Sequence, residues 1–171
     1  MTGKTHVTFA LAMGTATALA LGKHMELSGE EYVIGIIVTG IGGLFPDIDK
    51  PNTMLGTIIR PISTIINKII GHRTYIHDPL MYATLTTILM IYAPETCSFN
   101  FWMFIYGIGL HLLLDACTTG GIPILYAINR KRRFRILKIK TGTAWEYITA
   151  TVLFLICMTG MPIISSMARI I

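Results

Sequence analysis

Phe99-Asn-Phe-Trp-Met-Phe-Ile-Tyr-Gly-Ile-Gly-Leu-His111-Leu-Leu-Leu-Asp115-Ala-Cys117 is a 19-residue run of mostly apolar side chains, interrupted near its end by a histidine and an aspartate. Its length matches the roughly 20 residues a helix needs to cross the hydrocarbon core of a bilayer. Ionisable groups in such a run are expensive in lipid and mark function by default. His111 and Asp115 stand at i and i+4, so a helix projects both from one face. The pair can share one metal ion, or the aspartate can orient the histidine from behind. It can equally be a hydrogen-bonded pair that only neutralises buried polarity.

The rest of the chain resembles this run. Of 171 residues 53% are apolar and 13% charged, about half the charge of a soluble protein. Further apolar runs cover Val7–Leu21, Tyr32–Phe45, Pro79–Ala93 and Tyr147–Ile164. The first two are short for a full span, and the glycines of the second (Gly35, Gly40, Gly42, Gly43) suit close helix packing in lipid. Asp78 is placed to cap the third, with Pro79 at its first position. Met54–Ile70 differs: its isoleucines follow the i, i+3, i+4 pattern of one face, opposite Arg60, Thr64, Asn67 and Lys68. It reads as one helix lying in the interface plane and kinked at Pro61. The predicted fold is all-α: a single membrane-embedded domain over residues 1–171, with about five inserted helices plus the interfacial helix 54–70. The first run could pass for a signal peptide, but His6 at its start and the spans that follow favour a retained helix.

Charge sets the orientation. The net charge is +5, yet Arg130, Lys131, Arg132, Arg133, Arg135, Lys138 and Lys140 alone carry seven positive charges, leaving the remainder net negative. A basic block beside apolar spans reads as a cytoplasmic anchor on anionic headgroups. Nucleic-acid binding is the weaker reading, because no aromatic or motif context accompanies the block. Glu26, Glu30, Glu31 and Glu95 fall in the outward loops, while Lys4, Lys50, Arg60, Lys68 and Arg73 fall inside. The expectation is a multi-pass protein of the cell inner membrane with a cytoplasmic N-terminus. Cys97, Cys117 and Cys157 form no metal or disulfide spacing and read as small apolar fillers.

With that topology His6, Asp47, Asp49, His72, His77, His111 and Asp115 all reach one face, whereas His24 falls outside as a loop bystander. Histidine and aspartate suit zinc first, with manganese or iron as alternatives. In Pro46-Asp47-Ile48-Asp49 an extended turn would point the two carboxylates apart, so one can ligate while the other fixes the turn or orients a histidine. Either can also be ordinary turn chemistry. Arg73, between His72 and His77, can clamp an oxyanion, or simply touch headgroups. Glu146 opens the last run, where it can join the ring of ligands or serve only the helix N-terminus.

Thr5-His6, Gly43-Leu-Phe-Pro-Asp-Ile-Asp49, His72-Arg73 with His77, Gly109-Leu-His-Leu-Leu-Leu-Asp115, Thr118-Thr-Gly-Gly-Ile-Pro-Ile-Leu-Tyr126 and Thr141-Gly-Thr-Ala-Trp-Glu146 together resemble the motifs of the YdjM family. That family is described as inner-membrane metal-dependent hydrolases, some regulated by LexA in the response to DNA damage. The resemblance implies kinship with zinc-dependent phospholipase C and single-strand-specific nucleases. By motif it makes His6, Asp47, Asp49, His72, His77, His111 and Asp115 metal or active-site residues, with Glu146 a less direct addition. Thr74, Ile76 and Asp78 stand where the family pattern has Gly, Thr and Ser.

The function expected is a membrane-bound, metal-dependent phosphohydrolase at the cytoplasmic leaflet. One or more divalent ions, zinc first, would activate a water against a phospholipid or lipid-linked phosphate, and Arg73, Asp49 and Glu146 would assist catalysis. Two alternatives stand beside it. One is a non-enzymatic metal sensor or transporter, the transporter requiring polar groups at mid-span. A nuclease at the membrane surface would use the basic block.

Overall fold

In the computed structural model, which describes residues 1–22, 25–71 and 73–167, the 99–117 run forms the central helix. We number the helices α1 (Gly3–Gly22), α2 (Gly29–Gly42), α3 (Met54–Ile58), α4 (Arg60–Ile70), α5 (Pro79–Tyr92), α6 (Phe99–Ala116) and α7 (Ala144–Met167). Ser98 caps α6 and Asp78 caps α5, each side chain accepting a backbone N–H of the first turn. α2 begins three residues before the expected Tyr32, because Ser28 and Glu31 form a reciprocal capping box.

Small residues let α2 lie directly on α6. A methyl group on Gly107 would come within 2.2 Å of the Thr39 carbonyl oxygen, and one on Gly42 within 2.3 Å of that of Phe104. The backbones therefore touch where the two helices cross. α1 packs against α2, α6 and α7. Phe9, Ala10, Met13, Leu110, Leu114 and Cys117 form one buried cluster, and Tyr82, Ile108, Leu112, Ala116 and Ile122 form another. Cys117 is buried in the first of these clusters, which suits an apolar filler.

The outer faces are apolar. Val33, Ile37 and Ile41 on α2, Leu85, Ile88 and Ile91 on α5, and Val152, Leu155 and Ile156 on α7 are all exposed. Among the described residues α6 is the one helix both long and apolar enough to cross a membrane, while α5 and residues 144–159 are shorter apolar helices. About five spans were expected. α1 reaches 20 residues but is diluted by threonine and glycine, and α2 and α5 have 14 residues each.

The expected single helix 54–70 is two. Ile59, at φ −112° and ψ 40°, leaves the helical region between α3 and α4. Pro61 sits in the first turn of α4, the position that tolerates its missing N–H. Uninterrupted helix would drive its ring into the Thr57 carbonyl. α4 is also inside out: Ser63 is fully buried, Asn67 Nδ2 donates to the Asp49 carbonyl at 2.7 Å, and Ile62, Ile65 and Ile69 face outward.

The connection from α6 to α7 departs from the all-α expectation. Ile122–Pro123 (β1) pairs antiparallel with Arg133–Phe134 (β2). The backbone N–H groups of Ile136 and Ile139 donate to the Ala116 and Cys117 carbonyls. The basic segment is thus sewn onto the end of α6, with exposed Phe134, Ile136 and Leu137 interleaved among its cations.

Candidate metal centre

The ends of these elements converge where α6 carries His111 and Asp115. His6 arrives from the first turns of α1, Asp47 from a 3-10 turn at Phe45–Asp49, and His77 from a second 3-10 turn at Tyr75–His77. All five are buried. His6, His111 and Asp115 place one ligand atom each within 4.8 Å of one another, and so do Asp47, His77 and His111. His111 belongs to both groups.

Hydrogen bonding decides what His111 presents. Its Nδ1 lies 2.7 Å from the Gly43 carbonyl oxygen. A carbonyl only accepts, so Nδ1 carries the proton and Nε2 keeps its lone pair. Nε2 is buried without a hydrogen-bond partner and lies 4.0 Å from Asp115 Oδ2. His6 stacks on His111 with ring centroids 3.7 Å apart and planes 12° from parallel, a spacing that suits neutral rings. Its Nε2 is 3.3 Å from Asp115 Oδ1, while its Nδ1 is buried and unpartnered. Orphaned imidazole nitrogens beside buried carboxylates are the donor set of a zinc-type ion, so the residues present fit a divalent metal.

Asp49 stands one layer back. Its Oδ2 lies 3.4 Å from His77 Nδ1 and accepts the Arg73 backbone N–H at 3.2 Å. A carboxylate on one imidazole nitrogen sets the ring so that the other faces the cluster, and His77 Nε2 is 3.9 Å from Asp115 Oδ2. The two aspartates therefore differ in place, Asp47 within a His/Asp group and Asp49 behind His77, on a 3-10 turn rather than the expected extended one.

Arg73 is held at four points. Its backbone sits at φ +55°, a left-handed conformation costly for a residue with a Cβ. Asp49 holds its N–H, Arg133 Nη1 donates to its carbonyl at 2.7 Å, and its own Nη2 donates to Asp115 Oδ2 at 2.9 Å. Gly120 makes the fourth: a methyl group there would fall 1.5 Å from Arg73 Nη1. Burial, and after it the Arg73 charge, pull the Arg133 pKa below the usual arginine value. The Met1 amino group also reaches Asp115, hydrogen-bonding Oδ1.

Glu146 is brought near but not in. Its Oε1 accepts from the Thr2 N–H and the Thr5 hydroxyl, and its Oε2 from the Gly142 N–H. It ties α7 to the start of α1 behind His6 and belongs to neither ligand group. His72 and His24 lie outside the described residues. Asp78, in place of the family serine, caps α5 through Leu80 and accepts the Tyr126 N–H at 2.7 Å. Thr74 donates its hydroxyl to the Gly71 carbonyl.

Sequence reasoning missed the Gly43 carbonyl, the Gly120 cradle and the Arg133 brace. A backbone acceptor has no signature of its own, although Gly43 and Gly120 both sit inside quoted motifs. A cleft of about 430 Å³ opens over the cluster, with Lys4, Asp47, Lys50, Arg73, Asp115 and Tyr147 on its walls.

The family described as YdjM inner membrane protein matches residues 1–169. The uncharacterized protein YvsG of Bacillus subtilis is 31% identical over 146 residues, covering 85% of each chain. The inner membrane protein YdjM of Escherichia coli is 29% identical over 119 residues, 65% of this chain and 58% of that protein. No solved structure matches.

Proposed function

The chain belongs to the YdjM family of inner membrane proteins, and from that premise we propose that it is a metal-dependent phosphohydrolase working at the cytoplasmic leaflet. The observation that carries the proposal is the buried His111, whose Nε2 is freed by the Gly43 carbonyl and which belongs to two His/Asp groups. His6, His111 and Asp115 would hold one ion, and Asp47, His77 and His111 a second or a shared one. Zinc suits this donor set best. A divalent ion there supplies Lewis acidity and a water acidified to a pKa of about 7.

The remaining steps belong to the protein. Arg73 offers its guanidinium to a phosphoryl oxygen, an interaction that strengthens as charge develops in the transition state. Lys4 and Lys50 on the cleft wall draw an anionic group inward. Asp49 keeps His77 in its working orientation, and Arg133 keeps Arg73 against the cleft.

The outward apolar faces of α2, α5 and α7 support insertion of several helices beside α6. The isoleucine face of α4 and the cation-rich 130–140 segment would rest on anionic headgroups, on the cytoplasmic side by the positive-inside bias. Purified protein should contain stoichiometric divalent metal by elemental analysis and hydrolyse phosphoesters. Asp47→Ala should lose both while still inserting. Metal-free wild type, or undiminished hydrolysis in Asp47→Ala, overturns the proposal. Cleavage of single-stranded nucleic acid with no hydrolysis of lipid phosphates would replace it with the nuclease reading.

A further inference from the structure

A second cavity adjoins the cleft over the metal centre. It has a volume of about 340 Å³ and runs between α1 and α7. Thr5, Thr8, Phe9 and Ala12 form one wall, and Ala150, Thr151 and Phe154 the other. These positions follow helical spacing on both elements, so the cavity is a groove along the helices rather than a hole across them. Two further residues, Lys4 and Tyr147, line both the groove and the polar cleft. The two spaces therefore meet at a lysine and a tyrosine.

Their chemistry differs sharply. The cleft carries Lys4, Lys50 and Arg73 around the His/Asp cluster. Past Lys4 the groove has no charged wall residue, and its surface is predominantly methyl, methylene and aromatic carbon. Thr8 and Thr151 are exposed along its length, so a long molecule can enter from the side. α1 advances about 12 Å from Lys4 to Ala12 at about 1.5 Å per residue. An extended chain covers about 3.8 Å per three bonds, so this length takes roughly nine or ten methylenes. The other large groove, between α5 and Leu125–Ile128, shares no residue with the cleft and lacks this continuity.

We propose that the groove between α1 and α7 takes one hydrocarbon chain of a lipid phosphate whose phosphate group lies in the cleft over the His/Asp cluster. The inference rests on the phosphohydrolase reading for the fate of that phosphate, and it narrows the substrate to a lipid. Lys4 at the junction meets the anionic head as the chain leaves it. Tyr147 suits the same boundary, with an apolar ring and a polar tip. A water-soluble phosphoester would use the cleft and leave the groove empty.

The test uses full-length protein in phosphatidylglycerol/phosphatidylethanolamine nanodiscs and dodecyl phosphate with a diazirine near the chain end. Photolabelling should place adducts on residues 8–12 and 150–154, and excess unlabelled dodecyl phosphate should suppress them. Ala12→Trp and Thr151→Trp fill the groove from opposite walls, and each should cut that labelling about tenfold, the loss of roughly two buried methylenes. Using both walls guards against one variant that fails to fold, and a wild-type elution profile identifies the folded one. Adducts spread over the outer faces of α2 and α5, or labelling unchanged in a folded tryptophan variant, overturn the inference.

Phenyl phosphate, which has no chain, separates this inference from the hydrolase reading. Hydrolysis of phenyl phosphate without groove labelling overturns the groove alone. Groove labelling without hydrolysis of any phosphoester supports the groove and overturns the hydrolase reading alone.

Discussion

The helix-borne half of the centre, His6, His111 and Asp115, differs from the turn-borne half, Asp47, Asp49, Arg73 and His77, in what holds it in place. The first half is placed mainly by packing, with one backbone bond, His111 Nδ1 to the Gly43 carbonyl, setting the ring. α1 and α6 share a buried cluster through Phe9, Met13, Leu110 and Leu114, and the stacked His6 and His111 rings lie within that contact. The second half is fixed by polar bonds to backbone: Asp49 to the Arg73 N–H, Arg133 to the Arg73 carbonyl, Asn67 to the Asp49 carbonyl. Packed helices hold ligands at preset spacing, whereas short turns need a second layer of partners to do the same. The turn-borne half is therefore where distant residues can tune the site.

His111→Ala removes the residue common to both groups and should show the largest effect. Bound metal should fall to near zero, and hydrolysis by more than about 100-fold, beyond the loss expected from an outer partner. Metal retained at the wild-type ratio would show that the two halves do not meet at His111. Asp49→Asn keeps the shape but weakens the charge on His77 Nδ1. It should lower metal affinity by about 10- to 100-fold through the turn-borne half alone, so a titration should resolve one weakened ion. Loss of all metal would mean that the halves are not separable.

Gly120→Ala acts further out. Its methyl group collides with the Arg73 guanidinium, and hydrolysis should drop about tenfold, the worth of one charge-assisted hydrogen bond, with metal content unchanged. Arg73→Lys should show a similar deficit, since an ammonium cannot match the guanidinium fork. A change in metal content in Gly120→Ala would place Arg73 in the ligand shell instead. The smallest effect is expected for Glu146→Gln, which replaces one of two accepting oxygens behind His6. Thermal unfolding in detergent should register a loss of about 1–2 kcal/mol, with metal content as in wild type. A metal-free variant would move Glu146 from tie to ligand.

Much of the site is readable from residue types. His6, Asp47, His77, His111 and Asp115 stand out because ionisable groups in so apolar a chain need a reason, and the structure brings all five together. Glu146 and Asp49 are equally conspicuous, yet neither joins a ligand group. Sequence distinguishes acids from apolar residues but not a ligand from the partner that orients it, since both are buried carboxylates. Helix positions were legible at α5, from its Asp78 cap and apolar run, and at α6, from its apolar run alone. The isoleucine period predicts one continuous helix over 54–70 because it runs straight through the break at Ile59. Side-chain period reports which face is apolar, not whether the backbone between two segments stays helical.

Local rules of chain chemistry were enough to establish the helical character, the cap at Asp78, the isoleucine face of α4 and the pool of candidate ligands. Each depends on residues within a few turns of one another. Which nitrogen of His111 is free, and how the Arg73 backbone and guanidinium are held, depend on Gly43, Arg133 and Gly120. Those partners lie tens of residues away, or act through backbone atoms that every residue possesses. Long-range backbone acceptors and missing side chains leave no periodic trace, so these assignments emerge only once the chain has folded.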